Sequence, residues 1–113
     1  MSAPTIHLAT FTELQDTAGA DFVAELVDTF LEEAPGLLAE LRRALAAGQA
    51  PAFERAAHSL KSNANTFGAT TLGALARSLE LGSLAAAGDG QALDAVADEY
   101  RRAAAALQEL RHG

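Results

Sequence analysis

The sequence predicts an all-α protein, an antiparallel four-helix bundle with one short extra helix at the N-terminus. Three observations favour this class. Apolar residues recur every three or four positions in four long stretches, the connections between these stretches are short, and no stretch alternates as a strand does. The composition agrees with this prediction, because a half-hydrophobic chain with five Phe, one Tyr and no Trp suits helices that pack through small side chains.

The short N-terminal helix is indicated by a capping-box spacing. Thr10 and Glu13 stand three residues apart and predict that the helix begins at Thr10. It would carry Phe11 and Leu14 and end at Gly19.

The next helix has Asp21 in its first turn, where a negative charge suits the helix dipole. Pro35 is expected to kink or break this helix, because proline lacks an N–H donor and clashes with the preceding turn. The apolar stripe resumes after Pro35, and Gly48 is the predicted C-terminal cap. The apolar positions of the whole run are Phe22, Val23, Leu26, Val27, Phe30, Leu31, Leu37, Leu38, Leu41 and Leu45.

Two further helices form a hairpin around a glycine. Pro51 fits the start of the first of them, and Gly68 is predicted to end it. Thr70 or Thr71 is the expected N-cap of the second. The core face of the second is marked by Leu72, Leu75, Leu79 and Ala86.

The last helix follows the turn Gly88-Asp89-Gly90, in which Asp89 is the expected N-cap. No repeat or linker interrupts the chain, so residues 1–113 are predicted to form a single domain with an ordered core of about residues 6–110. The core positions of the last helix are Leu93, Val96, Ala97, Tyr100, Ala104 and Leu107.

Charge and composition exclude several functions. Eight Lys and Arg against 15 Asp and Glu give a net charge of −7, which disfavours binding to nucleic acid or to an anionic membrane surface. The chain has no cysteine, no signal peptide and no apolar run of the roughly 20 residues that a membrane span needs. A cytoplasmic location is therefore expected.

The helix between Pro51 and Gly68 presents a histidine to solvent. At about 100° per residue, His58 lies roughly 150° from the centre of an apolar stripe. Lys61, Ser62 and Asn65 follow at positions i+3, i+4 and i+7 and share its face. From this pattern alone an ordinary surface histidine is the more frequent interpretation. The stripe consists of Phe53, Ala56, Ala57, Leu60, Ala64 and Phe67.

The stretch around this histidine resembles the histidine-containing phosphotransfer (HPt) domains of bacterial and fungal phosphorelays. The family pattern is a histidine, an aliphatic residue, a basic residue and small residues, then a bulky apolar residue with Gly-Ala and a second helix. Asn63 departs from the usual Ser or Ala, on the flank expected to face away from His58. The matching residues are His58, Leu60, Lys61, Ser62, Ala64, Phe67, Gly68, Ala69, Leu72, Leu75, Ala76, Leu79 and Glu80.

The resemblance implies a phosphoryl carrier without autonomous enzymatic activity. His58 would accept a phosphoryl group from a receiver-domain aspartate and pass it to another receiver aspartate. Lys61 would offset the charge of the phosphoryl oxygens, and Ser62 would allow close approach or donate a hydrogen bond. The partners would be receiver domains and a sensor or hybrid histidine kinase. Magnesium would be held by the receiver and no cofactor by this chain, which is expected to be a monomer.

The hairpin brings a carboxylate level with the histidine. His58 is ten residues before Gly68 and Glu80 is twelve after it, so antiparallel packing predicts that they lie side by side. Glu80 would then bond Nδ1 and leave Nε2 as the nucleophile. Alternatively, Glu80 is a solvated charge or pairs with Arg77 or Lys61. Asn65 either contributes to the phosphoryl site or is an ordinary surface residue.

In the family, the receiver lies across the histidine-bearing helix and those that precede it. This implies an exposed apolar patch formed by Phe11, Leu14 and Phe22, although each of them is alternatively a core residue.

Other functions are less consistent with the sequence. An HPt-like module that only binds a regulatory partner is the main alternative, and the intact trio His58, Lys61 and Ser62 argues against it. A metal site at Glu54 and His58 would have too few ligands. A kinase is excluded, because the chain has no glycine-rich nucleotide loop and no room for an ATP-binding domain.

Overall fold

A computed structural model describes residues 5–112, and within that range it contains five helices and no strand. The first helix packs on the second and third, while the four long helices each contact two neighbours and close a bundle. Their short connections make neighbouring helices antiparallel, as predicted. The helices are α1 (Leu8–Ala18), α2 (Ala20–Ala47), α3 (Ala50–Thr66), α4 (Thr70–Ala87) and α5 (Gln91–His112).

The predicted apolar stripes meet in one core. Large side chains from every helix are fully buried there, and many of the remaining core positions are alanines. Removing apolar surface from water contributes roughly 25 cal/mol per Å², and the alanines let the helix axes approach closely. The fully buried alanines are Ala34, Ala57, Ala64, Ala69, Ala76 and Ala103.

The helix α2 is not broken at Pro35. It runs as one helix of 28 residues with Pro35 inside it. Proline at this position leaves the carbonyl of Leu31 without its usual N–H donor four residues later. The hydroxyl of Tyr100 in α5 donates to that carbonyl oxygen at 3.4 Å. Burial raises the pKa of the Tyr100 phenol further above neutral pH, and the protonated hydroxyl is the donor.

The starts of α1 and α4 differ from the sequence prediction. The N-cap of α1 is His7, not Thr10, and Thr10 lies in the first turn with its hydroxyl 2.8 Å from His7 Nδ1. Likewise α4 begins at Thr70 with Ala69 as its N-cap, so neither Thr70 nor Thr71 caps it. Backbone contacts made before each helix set these starts, and they outweigh a cap, which contributes only about 1 kcal/mol.

The contact that fixes the start of α1 is made by Gly68. The His7 N–H donates to the Gly68 carbonyl at 2.7 Å. Gly68 has a φ of +83°, and a Cβ added there would lie 2.7 Å from the carbonyl oxygen of His7. Only glycine therefore allows the N-terminal segment to lie on the α3–α4 turn.

The other helix ends follow the sequence more closely. Gly19 ends α1, and Gly48 ends α2 in the left-handed conformation with its N–H on the carbonyls of the last turn. The Asp89 carboxylate accepts a hydrogen bond from the Gln91 N–H at 3.2 Å at the start of α5. The helix α5 continues to His112, two residues beyond the predicted ordered core. The loose tail predicted before Ile6 lies, apart from Thr5, outside the described residues.

One irregularity of α4 has no counterpart in the sequence prediction. Ser83, four residues before the end of α4, has φ 55° and ψ −146°, which are not helical angles. It is the only non-glycine residue with a positive φ among the residues described.

No helix within residues 5–112 has an apolar stretch long enough to cross a lipid bilayer.

We expect Tyr100→Phe to lower the free energy of unfolding by about 1 kcal/mol, because it leaves the Leu31 carbonyl without a donor. The ring and its edge-on contact with Phe30, at a centroid distance of 5.9 Å, are retained. In a Pro35→Ala background the restored backbone N–H bonds that carbonyl, so the same substitution should cost close to nothing. Urea unfolding of the four variants measures the coupling, and equal costs in both backgrounds would contradict the assignment.

Candidate functional site

The site is centred on His58, in the middle of α3. The side chain of His58 is 57% exposed, while residues on the opposite face of the helix are buried. Phe53, Ala57 and Leu60 have no exposed surface. The imidazole therefore stands in solvent on a helix whose other side is fixed in the core.

The hairpin places Glu80 beside His58, in the register that counting from Gly68 predicts. Glu80 Oε2 lies 2.7 Å from His58 Nδ1. A carboxylate oxygen accepts, so the neutral imidazole carries its proton on Nδ1. The lone pair is then on Nε2, the nitrogen farther from α4.

The second oxygen of Glu80 is taken by Lys61. Lys61 Nζ lies 2.7 Å from Glu80 Oε1, and the two side chains are 24% and 23% exposed. The sequence offered contacts with His58 and with Lys61 as alternatives for Glu80, and in the structure Glu80 makes both. The Lys61 ammonium, more than the imidazole of His58, holds the pKa of the Glu80 carboxyl below its usual range, against an opposing contribution from burial.

An open groove lies between α2 and α3 on the other side of His58. Ser62 lines it one turn beyond His58, and Ser59 and Asn63 line it as well. Asn63 is five residues after His58, about 140° around the helix, and it lines the part of the groove that faces α2. The α2 wall of the groove consists of Glu32, Glu33, Gly36, Leu37, Glu40 and Arg43.

Asn65 does not join His58. Its side-chain amide lies over Gly73 of α4, where an added Cβ would overlap it. Asn65 is seven residues from His58, about 10 Å along the helix axis, so sharing a face does not bring the two side chains together. Its contact belongs to the packing of α3 against α4.

The proposed docking residues have different surroundings. Phe11 is only 2% exposed and belongs to the core, so its expected place in an exposed patch is wrong. Phe11 lies in the core because α1 packs against α2 and α3. Leu14 is half-buried, whereas Phe22 is 52% exposed. Leu8, which sequence reasoning missed, is 61% exposed in the first turn of α1.

The candidate metal pair gains no further ligand. Among residues 5–112 no group of three or more His, Cys, Asp or Glu side chains is placed to hold a metal ion. Glu54 is bonded to Ser83, whose Oγ lies 2.5 Å from Glu54 Oε2. This contact could not be predicted from the sequence, since it depends on the bend of α4.

Comparison with known proteins gives two findings. The model of the Hpt domain family matches residues 25–112. The crystal structure of histidine-containing phosphotransfer protein B from Pseudomonas aeruginosa PAO1 is similar, with a TM-score of 0.87 and 26% sequence identity over 98% of this chain and 97% of that chain. No curated protein matches the chain significantly.

The Lys61–Glu80 ion pair predicts a pH-dependent contribution to stability. A carboxyl group whose pKa is lower in the folded than in the unfolded state stabilises the fold above the unfolded value, 4.5 for Glu80. That contribution is lost as the pH falls through the lowered folded pKa. In a His58→Gln background, which removes the imidazole, Glu80→Gln should therefore be destabilising at neutral pH, and its cost should shrink as the pH falls below 4.5.

Urea unfolding of both variants between about pH 7 and pH 3 makes the comparison. A difference in stability that persists undiminished to the lowest pH would contradict the ion pair as its source.

Proposed function

The chain belongs to the Hpt domain family, whose members carry phosphoryl groups on histidine in phosphorelays, and we propose that His58 is the residue that carries the group here. The observation that carries the proposal is that the imidazole of His58 is both exposed to solvent and fixed in orientation by a hydrogen bond. Nδ1 is bonded to Glu80 at 2.7 Å, while the ring is 57% exposed on a helix anchored in the core. Phosphotransfer between proteins requires an accessible nitrogen held in a fixed direction, and Nε2 of His58 meets both conditions.

The transfer step follows from this geometry. The Nε2 lone pair attacks the phosphorus of a receiver aspartyl phosphate, and the bond between phosphorus and the aspartate oxygen breaks. The aspartate leaves as a carboxylate with the bonding electrons. The ring keeps its Nδ1 proton and gains positive charge, which faces the Glu80 carboxylate. Attack by the carboxylate of a second receiver on the same phosphorus reverses the sequence and restores neutral His58.

Lys61 and Ser62 are proposed to assist at the phosphoryl group. Lys61 stands one turn from His58, and its ammonium offsets negative charge on this side of α3 while it also holds Glu80. Ser62 is exposed, small and on the groove side of His58, so it permits a partner's active site to approach Nε2. Its hydroxyl is within one helical turn of the imidazole and is suited to donate to a phosphoryl oxygen.

Hpt proteins work with receiver domains and histidine kinases, and we propose that the receiver docks along the α2–α3 groove. Phe22 marks the far end of this surface, because it lies on the same face of α2 as Thr29 and Glu33, which line the cleft against α3. We further propose that magnesium is held by the receiver, and that the chain meets its partners as a monomer in the cytoplasm.

Pure binding without transfer is the second candidate function. A binding function requires only the docking surface, and it gives no reason for the hydrogen bond between Glu80 and His58. The carrier function explains that pairing, so it is preferred. The proposal also assigns no catalytic turnover to the chain alone, since its phosphoryl donor and acceptor are both groups of the partners.

We expect wild-type protein to acquire phosphate from a phosphorylated receiver domain as an acid-labile, base-stable adduct. His58→Gln should acquire none, because the amide is not a nucleophile at this position. Labelled phosphate on gels treated with acid or base gives the readout, and circular dichroism controls for folding. A receiver that binds wild type without transferring phosphate to it would support the binding module instead.

We expect Phe22→Ala to weaken receiver binding by about tenfold, within the range for loss of a buried aromatic contact at an interface. Leu81→Ala is the matched control, since Leu81 is 68% exposed on α4, away from the α2–α3 groove. Titration of the labelled receiver with each variant measures the dissociation constants. Equal weakening by the two substitutions, or none by either, would place the docking surface elsewhere.

A further inference from the structure

A second carboxylate, that of Glu54, lies near His58 on the surface of α3 but is hydrogen-bonded to another residue. Glu54 precedes His58 by four residues, so the two side chains are neighbours on the α3 surface. Both line the shallow groove between α3 and α4, together with Glu80. Within the described part of the chain, the hydrogen bonds and ion pairs of His58 include Glu80 and do not include Glu54.

The partner of Glu54 is Ser83 of α4. The Ser83 hydroxyl donates to Glu54 Oε2 at 2.5 Å, in a partly buried position. Hydrogen bonds of this length from a hydroxyl to a carboxylate are among the stronger ones in proteins, because the acceptor is charged. The contact directs the Glu54 carboxylate toward α4.

The backbone of Ser83, whose hydroxyl contacts Glu54, has an energetically unfavourable conformation. Its φ of 55° and ψ of −146° are far from helical values and belong to a region that is normally occupied by glycine. The bend is sharp, since a Cβ added to Gly82 would lie 2.6 Å from the Cβ of Ala86. In a regular helix such atoms are about 5–6 Å apart. The bend occurs three residues after Glu80, so it occurs beside the phosphotransfer site.

The position of Glu54 matters because the incoming group is an anion. A carboxylate turned toward Nε2 would repel the phosphoryl oxygens and would compete with Glu80 for the ring proton. Glu80 avoids this conflict because its charge is already paired with Lys61. The partner that the structure gives Glu54 is a neutral hydroxyl.

We infer that Ser83 is a positioning residue for the phosphotransfer reaction: by tethering Glu54 it keeps an unneutralised carboxylate away from Nε2 of His58. The inference rests on the proposed function of His58. It assigns Glu54 no catalytic role, and Ser83 acts on the reaction only through Glu54.

Ser83→Gly is the decisive variant. Glycine adopts the observed backbone angles without strain, so the bend is kept and only the hydroxyl is lost. The freed Glu54 should slow phosphotransfer from a phosphorylated receiver about fivefold or more, as expected for an added like charge near the reacting group. The double variant Ser83→Gly/Glu54→Gln should return to within about twofold of wild type, because glutamine carries no charge.

A measurement on the unphosphorylated protein supplies an independent readout. The ¹⁵N shifts of the His58 ring report which nitrogen carries the proton. The fraction of neutral His58 protonated on Nδ1 should fall in Ser83→Gly and recover in the double variant.

The outcomes are separable. An unchanged transfer rate in Ser83→Gly overturns the inference, as does a slowed rate that Glu54→Gln does not restore, since the bend itself would then be responsible. Failure of wild type to accept phosphate at all would instead overturn the proposed function, and the ring shifts would still test whether Ser83 keeps Glu54 from His58.

Discussion

The contact between α3 and α4 is the constraint on which the site depends. These two helices form a hairpin around Gly68, and their buried faces include Leu60, Leu72 and Leu79. Near the turn, Asn65 lies against Gly73, a position where a side chain would overlap it. The close approach fixes both the distance between the helix axes and their register. A shift of one residue would rotate Glu80 by about 100° and remove it from His58.

The two carboxylate oxygens of Glu80 have different roles. One oxygen sets the proton position on His58 and the other neutralises Lys61. The ion pair stabilises the carboxylate form, so the acceptor for Nδ1–H is present over a wider range of acidic pH.

Much of the site follows from the sequence, because it is governed by local geometry. Helical periodicity placed His58 opposite the buried stripe, and counting residues from Gly68 placed Glu80 level with it. The failures have tertiary causes. Phe11 was expected at the surface, but α1 packs against α2 and α3 and Phe11 is buried between the helices, which depends on tertiary contacts. Ser83 adopts its angles in the context of a contact with Glu54, 29 residues away, which no local pattern encodes.

The alanines of the core have a consequence for molecular recognition. A buried alanine has no rotamers to lose, so a core rich in alanine orders the bundle at a small cost in side-chain entropy and has few alternative packings. The helices that present His58 and its groove therefore form a stiff surface. Under the proposed carrier function, a donor and an acceptor that bind this surface in turn meet the same shape, so any adaptation falls to the partners. Since the proposed transfer requires each of them to reach His58, the two would exclude each other, and an abundant acceptor would compete with the donor for the unphosphorylated carrier.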